Sequence, residues 1–216
     1  MLKYSKISTQ KVNKILLYFS EDLTATKTAR LLKLNRRTID RYFAIFREKI
    51  FKYTQSENIK TSGIFECDES YFGAKRIRGK RGRGAAGKTP VFGLLKRDGK
   101  VYVKIVKNCS KDQLMPIIQG KVLEGSTVNT DGWKSYDGLI LNGYTHHRVY
   151  HSKNEFARGK CHVNGIESFW SFTKRRLAKF NGIASHKFLI YFKECEFQWN
   201  YREDIFEKMK KIIKKF

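Results

Sequence analysis

Residues 63–72 read GIFECDESYF, a strand-like run that carries an acidic pair, Asp68-Glu69, in mid-strand. Taking this run as a strand decides the rest, because strand-like runs recur on its C-terminal side. VFGLLKR (91–97) and VYVKIVKN (101–108) are joined by Arg97-Asp98-Gly99-Lys100, where Asp-Gly is a hairpin turn signal. KDQLMPIIQGKV then reads as a helix, STVNTDGW as a strand ending near Asp131, and YTHHRVYH as a fifth strand. A long helical region covers 163–180, with further helices at about 186–200 and 203–215. Hairpin-linked strands followed by a helix and a strand predict an α/β fold, a mixed sheet flanked by helices.

On the N-terminal side the period is helical. QKVNKILLYF (10–19) places Val12, Ile15, Leu16 and Phe19 at helical spacing, and TATKTARLLKL (24–34) is a second helical run. Asn35 is predicted to cap a third helix, RRTIDRYFAIFREKI, over 36–50. Its inner stripe is Ile39, Phe43 and Phe46, which leaves Arg36, Arg37, Asp40, Arg41 and Arg47 outside. Two short helices, a tight turn and a third helix opening with arginines make a helix-turn-helix pattern. Arg36, Arg37 and Arg41 would then face DNA. A plain three-helix bundle with a solvated basic face is the alternative. Residues 51–62 are polar and read as a linker.

An apolar share of 41% with 14% aromatics is that of a folded chain, and 216 residues can hold one sizeable domain and a small one. Charge is the outlier, with 45 basic against 20 acidic residues and a formal net charge of +25. Such an excess favours phosphate-rich partners, because neutralising phosphates releases condensed counterions. A ribosomal protein or an anionic-membrane binder would share the feature. No apolar stretch approaches the roughly 20 residues that span a bilayer. MLKYSKISTQ lacks the charged-then-apolar pattern of a secretory signal. A cytoplasmic protein with no membrane partner is expected. Cys67, Cys109, Cys161 and Cys195 are scattered without a CxxC pair and read as reduced. His147, His151, Cys161 and His162 could in principle gather around zinc, but their spacing is loose and no zinc is expected.

Three carboxylates stand out by context. Asp68 lies mid-strand, where a charge is costly without a partner. Asp131 ends a strand, a common site location in open α/β sheets. Glu167 sits on the long helix, in HVNGIESFWSFTKRRL. There Val163, Ile166, Trp170, Thr173 and Leu177 form a stripe predicted to face the sheet, and Asn164, Glu167, Ser171 and Lys174 form the neighbouring line. Glu167 can lean over the strand ends, and Lys174 would point at whatever fills the gap. Converging carboxylates repel unless cations neutralise them, and hard oxygen donors suit Mg2+ or Mn2+. Two such ions serve phosphoryl transfer. Residues 75–88 hold seven Lys/Arg and no acid. Arg76, Arg78, Lys80, Arg81, Arg83 and Lys88 could grip phosphates there, the glycines allowing close backbone approach. Taken singly, each acid could equally be a solvated ion-pair partner worth at most about 1 kcal/mol. Trp133 and Trp170 read as core or wall aromatics.

CDESYFGAKRIRGKRGRGAAGKTPVFGLLKRDGKVY, NTDGWKSYDGL and HVNGIESFWSFTKRRLAKFNGI together resemble DDE transposases of bacterial insertion sequences. The resemblance is to the ISXO-like family, in its short form without an N-terminal zinc ribbon, and covers about residues 7 to 200. The 35 residues between Asp131 and Glu167 are similar to the spacing of many DDE recombinases. It implies an RNase H-like catalytic domain over 63–200, with Asp68, Asp131 and Glu167 as metal ligands. Asn164 stands as the alternative third ligand, since some relatives use an asparagine. It implies Lys174 as the basic residue contacting DNA near the cut, with Arg175 beside it in the DNA-binding set. Magnesium-dependent cleavage at inverted terminal repeats is implied, followed by attack of the freed 3′-hydroxyl on target DNA. Double-stranded DNA, as element ends and as target, is the expected partner, and a homodimer or higher oligomer the expected assembly. Residues 1–50 would be the helix-turn-helix domain, 51–62 the linker and 201–216 a basic amphipathic C-terminal helix. The rival readings are a nuclease or resolvase of the same fold without strand transfer, and a DNA-binding regulator derived from a dead element.

Overall fold

Strand propensity at 63–72 is realised as β1, Ile64–Phe72, the middle strand of five. In the computed structural model, residues 7–57, 59–73, 88–131, 134–149 and 162–215 are described. β1 pairs antiparallel with β2, Thr89–Lys96, which pairs antiparallel with β3, Val101–Ile105. The β2–β3 hairpin turns where expected, with Asp98 in the left-handed region at φ 53°. Helix α4, Lys111–Lys121, leads to β4, Thr127–Asp131, which lies parallel to β1; β5, Thr145–Val149, lies parallel to β4. The order β3-β2-β1-β4-β5 is an RNase H-like mixed sheet.

Both faces of this sheet are covered, so its central strands are buried almost continuously rather than in clean alternation. On one face Phe65, Cys67, Phe92, Leu94 and Val128 pack with Leu114 and Ile118 of α4. On the other lies α5, Asn164–Ala178, with Val163, Ile166, Trp170 and Thr173 of the expected stripe buried and Leu177 partly so. Cys67, Cys109 and Cys195 are buried.

The chain forms two compact units, Asn58–Gly182, which holds the sheet, and Met1–Glu57 with Ile183–Phe216. In the second, α1 (Thr9–Ser20), α2 (Ala25–Leu32) and α3 (Arg36–Ser56) are each preceded by a polar capping residue, Ser8, Thr24 and Asn35. Asn35 Oδ1 accepts the Arg37 N–H at 2.8 Å, the cap expected of it. Ile15, Leu16, Phe19, Ile39, Phe43, Phe46 and Ile50 form one core with Phe197 of α6 (Ser185–Asn200) and Met209 and Ile212 of α7 (Ile205–Lys215). The segments expected at 63–200 and 201–216 are therefore divided differently: from 183 onward the chain packs with the N-terminal helices.

Two local expectations are corrected here. Helix α3 does not stop at residue 50 but runs to Ser56, through half of the expected linker. Tyr53 stacks edge-on against Phe197 at 6.2 Å, and the Tyr53 and Tyr201 hydroxyls both donate to Glu57, at 2.9 and 2.7 Å. That packing holds the polar turn helical. Arg47 is not on the outer face: it is 8% exposed, bonded to Glu194 at 2.7 Å and stacked 4.2 Å from the Tyr191 ring centre. A buried guanidinium requires such a partner.

Candidate active site

Parallel pairing of β1 with β4 ends at Cys67 opposite Thr130, so Asp68 and Asp131 are the next residues along two adjacent strands. Carboxylate oxygens of Asp68, Glu69 and Asp131, all half-buried, lie within 4.8 Å of one another. Asp68 and Asp131 are thus brought together as expected, and Glu69 joins them. Glu69 accepts a hydrogen bond from the Tyr136 hydroxyl. Burial, then the Glu69 carboxylate, holds that phenol well above its usual range, so it remains a donor.

Asp68 is oriented from the other side of the sheet. Trp170 Nε1 on α5 donates to Asp68 Oδ2 at 3.0 Å. The residue facing Asp68 on β2 is Gly93, and a Cβ there would come within 2.5 Å of the Trp170 ring. Only glycine lets the indole lie against the sheet and reach the carboxylate. Trp170, expected as a core or wall aromatic, is both buried and a hydrogen-bond donor to the site.

The electrostatics record uncompensated negative charge. Burial first, and then the Asp131 carboxylate, push Asp68 up to about 6 from 3.8, with a smaller push from Glu167 and an opposing pull from the Trp170 N–H. Glu167 lies exposed in the first turn of α5, close enough for its charge to be felt at Asp68, but outside the tight cluster of three. Asn164 opens the same helix, exposed. Lys174 is exposed two turns beyond Glu167, its Nζ 5.9 Å from the Phe72 ring centre, and Arg175 is exposed beside it.

The remaining expected contacts fall in three places. Arg36, Arg37 and Arg41 are exposed on α3, Arg36 lying 3.6 Å from Asp40. Lys88, partly buried, immediately precedes β2. Arg76, Arg78, Lys80, Arg81 and Arg83 lie outside the described residues, as do Trp133, His151 and Cys161. His147 sits on β5 and His162 just ahead of α5, on separate elements.

Sequence reasoning noted Glu69 only as the neighbour of Asp68 in an acidic pair, without assigning it to the site, and missed Glu66. Strict strand alternation sends Glu69 to the face opposite Asp68, which concealed it. Glu66 is a mid-strand carboxylate like Asp68, so the same cost of burial could have drawn attention to it. It is 1% exposed and accepts from Arg97 Nε at 3.0 Å.

Comparison with known proteins agrees with this geometry. An uncharacterized transposase-like protein of Haemophilus influenzae is 44% identical over 104 residues, 48% of this chain and 84% of that protein. An uncharacterized protein in transposable element ISH50 of Halobacterium salinarum is 31% identical over 162 residues, 68% of this chain and only 54% of that protein. The Mos1 transposase paired-end complex with left transposon end aligns at 11% identity over 100% of this chain and 81% of that one, with a TM-score of 0.32, too weak a likeness to argue from. The ISXO2-like transposase domain matches residues 60–200, which take in the whole sheet and every acidic residue of the site. With that match, the chain belongs to the ISXO2-like transposase family.

Proposed function

We propose that this transposase binds the terminal inverted repeats of an insertion sequence as double-stranded DNA and catalyses divalent-metal-dependent strand cleavage and strand transfer. The observation that carries the reading is the meeting of Asp68 and Asp131 at adjacent strand ends, where burial and then the Asp131 carboxylate raise Asp68 to about 6. The donor set fits a hard divalent cation. The cluster of Asp68, Glu69 and Asp131 offers only carboxylate oxygens, half-buried and within 4.8 Å of one another. Asp68 and Asp131 would hold the ion, with Glu167 completing the set and Asn164 as the alternative. Mg2+ is the expected ion and Mn2+ a substitute. When bound, such an ion polarises the scissile phosphate and favours ionisation of the attacking hydroxyl.

The chain's own side chains do the orienting. The Trp170 N–H holds Asp68 Oδ2 and so orients the carboxylate. Lys174 and Arg175 present cations to phosphates flanking the cut. In cleavage, a water oxygen bonds to phosphorus as the O3′ departs, leaving a 3′-hydroxyl and a 5′-phosphate. In transfer, that 3′-hydroxyl attacks a target phosphodiester: one P–O bond forms, the target P–O3′ bond breaks, and the number of phosphodiesters is unchanged. Arg36, Arg37 and Arg41 on α3 would enter the major groove at the element ends. The arginine-glycine loop and Lys88 would grip backbone phosphates. Joining two ends to a target calls for a homodimer or higher oligomer.

The deciding test is a strand-transfer assay with terminal-repeat DNA, a target duplex and Mg2+. The native chain should join, while Asp68→Asn, Asp131→Asn and Glu167→Gln should bind ends without cutting. Cutting without joining would mark a nuclease or resolvase; binding alone would mark a regulator.

A further inference from the structure

Two residues before Asp68, and on the same face of β1, Glu66 is buried at 1% exposure. A carboxylate in that position must be satisfied in full. Its Oε2 accepts the backbone N–H of Ile166 in the first turn of α5, at 3.0 Å. Its Oε1 accepts from Arg97 Nε at 3.0 Å and lies 3.2 Å from His162 Nδ1. Arg97 Nη2 in turn donates to the His162 carbonyl at 2.9 Å, holding the segment that leads into the helix. Gly165 permits the approach: a Cβ there would stand 2.8 Å from Glu66 Oε2 and 2.9 Å from Leu95 Cδ2.

We infer that Glu66 is the positioning residue that sets the start of α5 against β1, and so fixes where Glu167 stands relative to Asp68 and Asp131. Ile166, which Glu66 holds, immediately precedes Glu167. The same strand therefore supplies one carboxylate to the site and, two residues earlier, a second that fastens the helix carrying the third. A negative group at a helix N-terminus is favoured by the backbone dipoles, and charge-assisted hydrogen bonds there are short and strong. Arg97 supplies the counter-charge that Glu66 needs when buried. The inference rests on the reading of Glu167 as a ligand.

Two variants move the helix by different routes. Glu66→Ala removes the acceptor. Gly165→Ala leaves Glu66 intact but pushes the helix start away from it, while alanine is a better helix former than glycine. The measurement is Mn2+ binding to the full chain by titration calorimetry and electron paramagnetic resonance, with thermal unfolding alongside. Both variants should weaken Mn2+ binding roughly tenfold, as loss of a support behind a ligand does elsewhere. Glu66→Gln, which keeps an oxygen for the Ile166 N–H, should recover most of it. Gly165→Ala strains a buried contact and should lower the melting temperature too, so Mn2+ affinity is read well below the unfolding transition, where a merely structural role would leave it unchanged. On a Glu167→Gln background, neither change should weaken binding further. Unchanged Mn2+ affinity in Gly165→Ala and in any folded Glu66 variant, with Glu167→Gln impaired, would overturn the inference alone. Unchanged affinity in Glu167→Gln itself would instead remove Glu167 from the ligand set.

Discussion

Asp68 is a carboxylate that the fold makes uncomfortable. Its pKa of about 6 means the folded chain holds the proton more tightly than the unfolded chain, where the ordinary value is 3.8. The sign follows directly. Below pH 4 the group is protonated in both states and contributes nothing; between 4 and 6 ionisation increasingly favours unfolding; above 6 the penalty is complete. The shift corresponds to on the order of 2–3 kcal/mol at 1.36 kcal/mol per pKa unit. With metal chelated, Asp68→Asn should therefore raise stability at pH 7 by about that amount and change little at pH 4. Urea denaturation at the two pH values checks it, and equal effects at both would remove electrostatic strain as the cause. Added Mg2+ should stabilise the native chain more than the variant, because a cation at the cluster relieves the same repulsion.

At the scale of elements, β4 and β5 oppose this trend through His146. Burial first, then Arg148 and His147, lower His146 to about 4, although Asp137 pulls it back up. Its Nε2 lies 2.9 Å from Thr130 Oγ1, beside Asp131. A depressed histidine contributes stability that is complete above the ordinary 6.5 and is lost as pH falls toward 4. Solvent screening at this half-buried site reduces the effect to on the order of 1–2 kcal/mol. His146→Gln should be less sensitive than the native chain to acidification from 6.5 to 4, by thermal unfolding. Helix α3 yields a different kind of expectation. If Arg36 and Arg37 read base edges, their joint replacement by alanine should cost about 1–3 kcal/mol of discrimination per bidentate contact, while binding to random DNA survives. Equal loss on repeat and random duplex, in competition binding, would assign them to phosphates.

These elements also show what a sequence makes legible. The Asn35 cap and the Asp98-Gly99 turn depend on neighbours within a few residues, and both were readable from composition alone. Asp68 was readable because a charge in mid-strand is costly without a partner, and Asp131 because strand ends are where an α/β sheet exposes chemistry. Arg47 was misplaced because the partner that buries it, Glu194, is 147 residues away. The helical turn at 51–56 was hidden for the same reason, its support being Phe197 and Tyr201. Glu66 went unnoticed since Arg97 and the start of α5 come to it only through tertiary packing.

Across the whole molecule, that non-local dependence has a consequence for DNA binding. The helices that carry Arg36, Arg37 and Arg41 do not complete their own core: Phe197, Met209 and Ile212, from the far end of the chain, share it with Phe19, Phe43 and Phe46. Phe197 is wholly buried and stacks with Tyr53 and Tyr201. Replacing a buried phenylalanine by alanine removes its transfer free energy and leaves a cavity, typically about 3–5 kcal/mol together. For a small helical unit that loss is a large fraction of total stability. Phe197→Ala should therefore weaken terminal-repeat binding although α6 carries none of the proposed DNA contacts. In the same variant, Mn2+ affinity at the Asp68–Asp131 cluster should stay close to native, since those ligands belong to the other compact unit. Hydrogen exchange would show faster opening in α3 and slow exchange preserved in β1 and β2. Parallel loss of both activities would mean instead that the two units fold as one cooperative body.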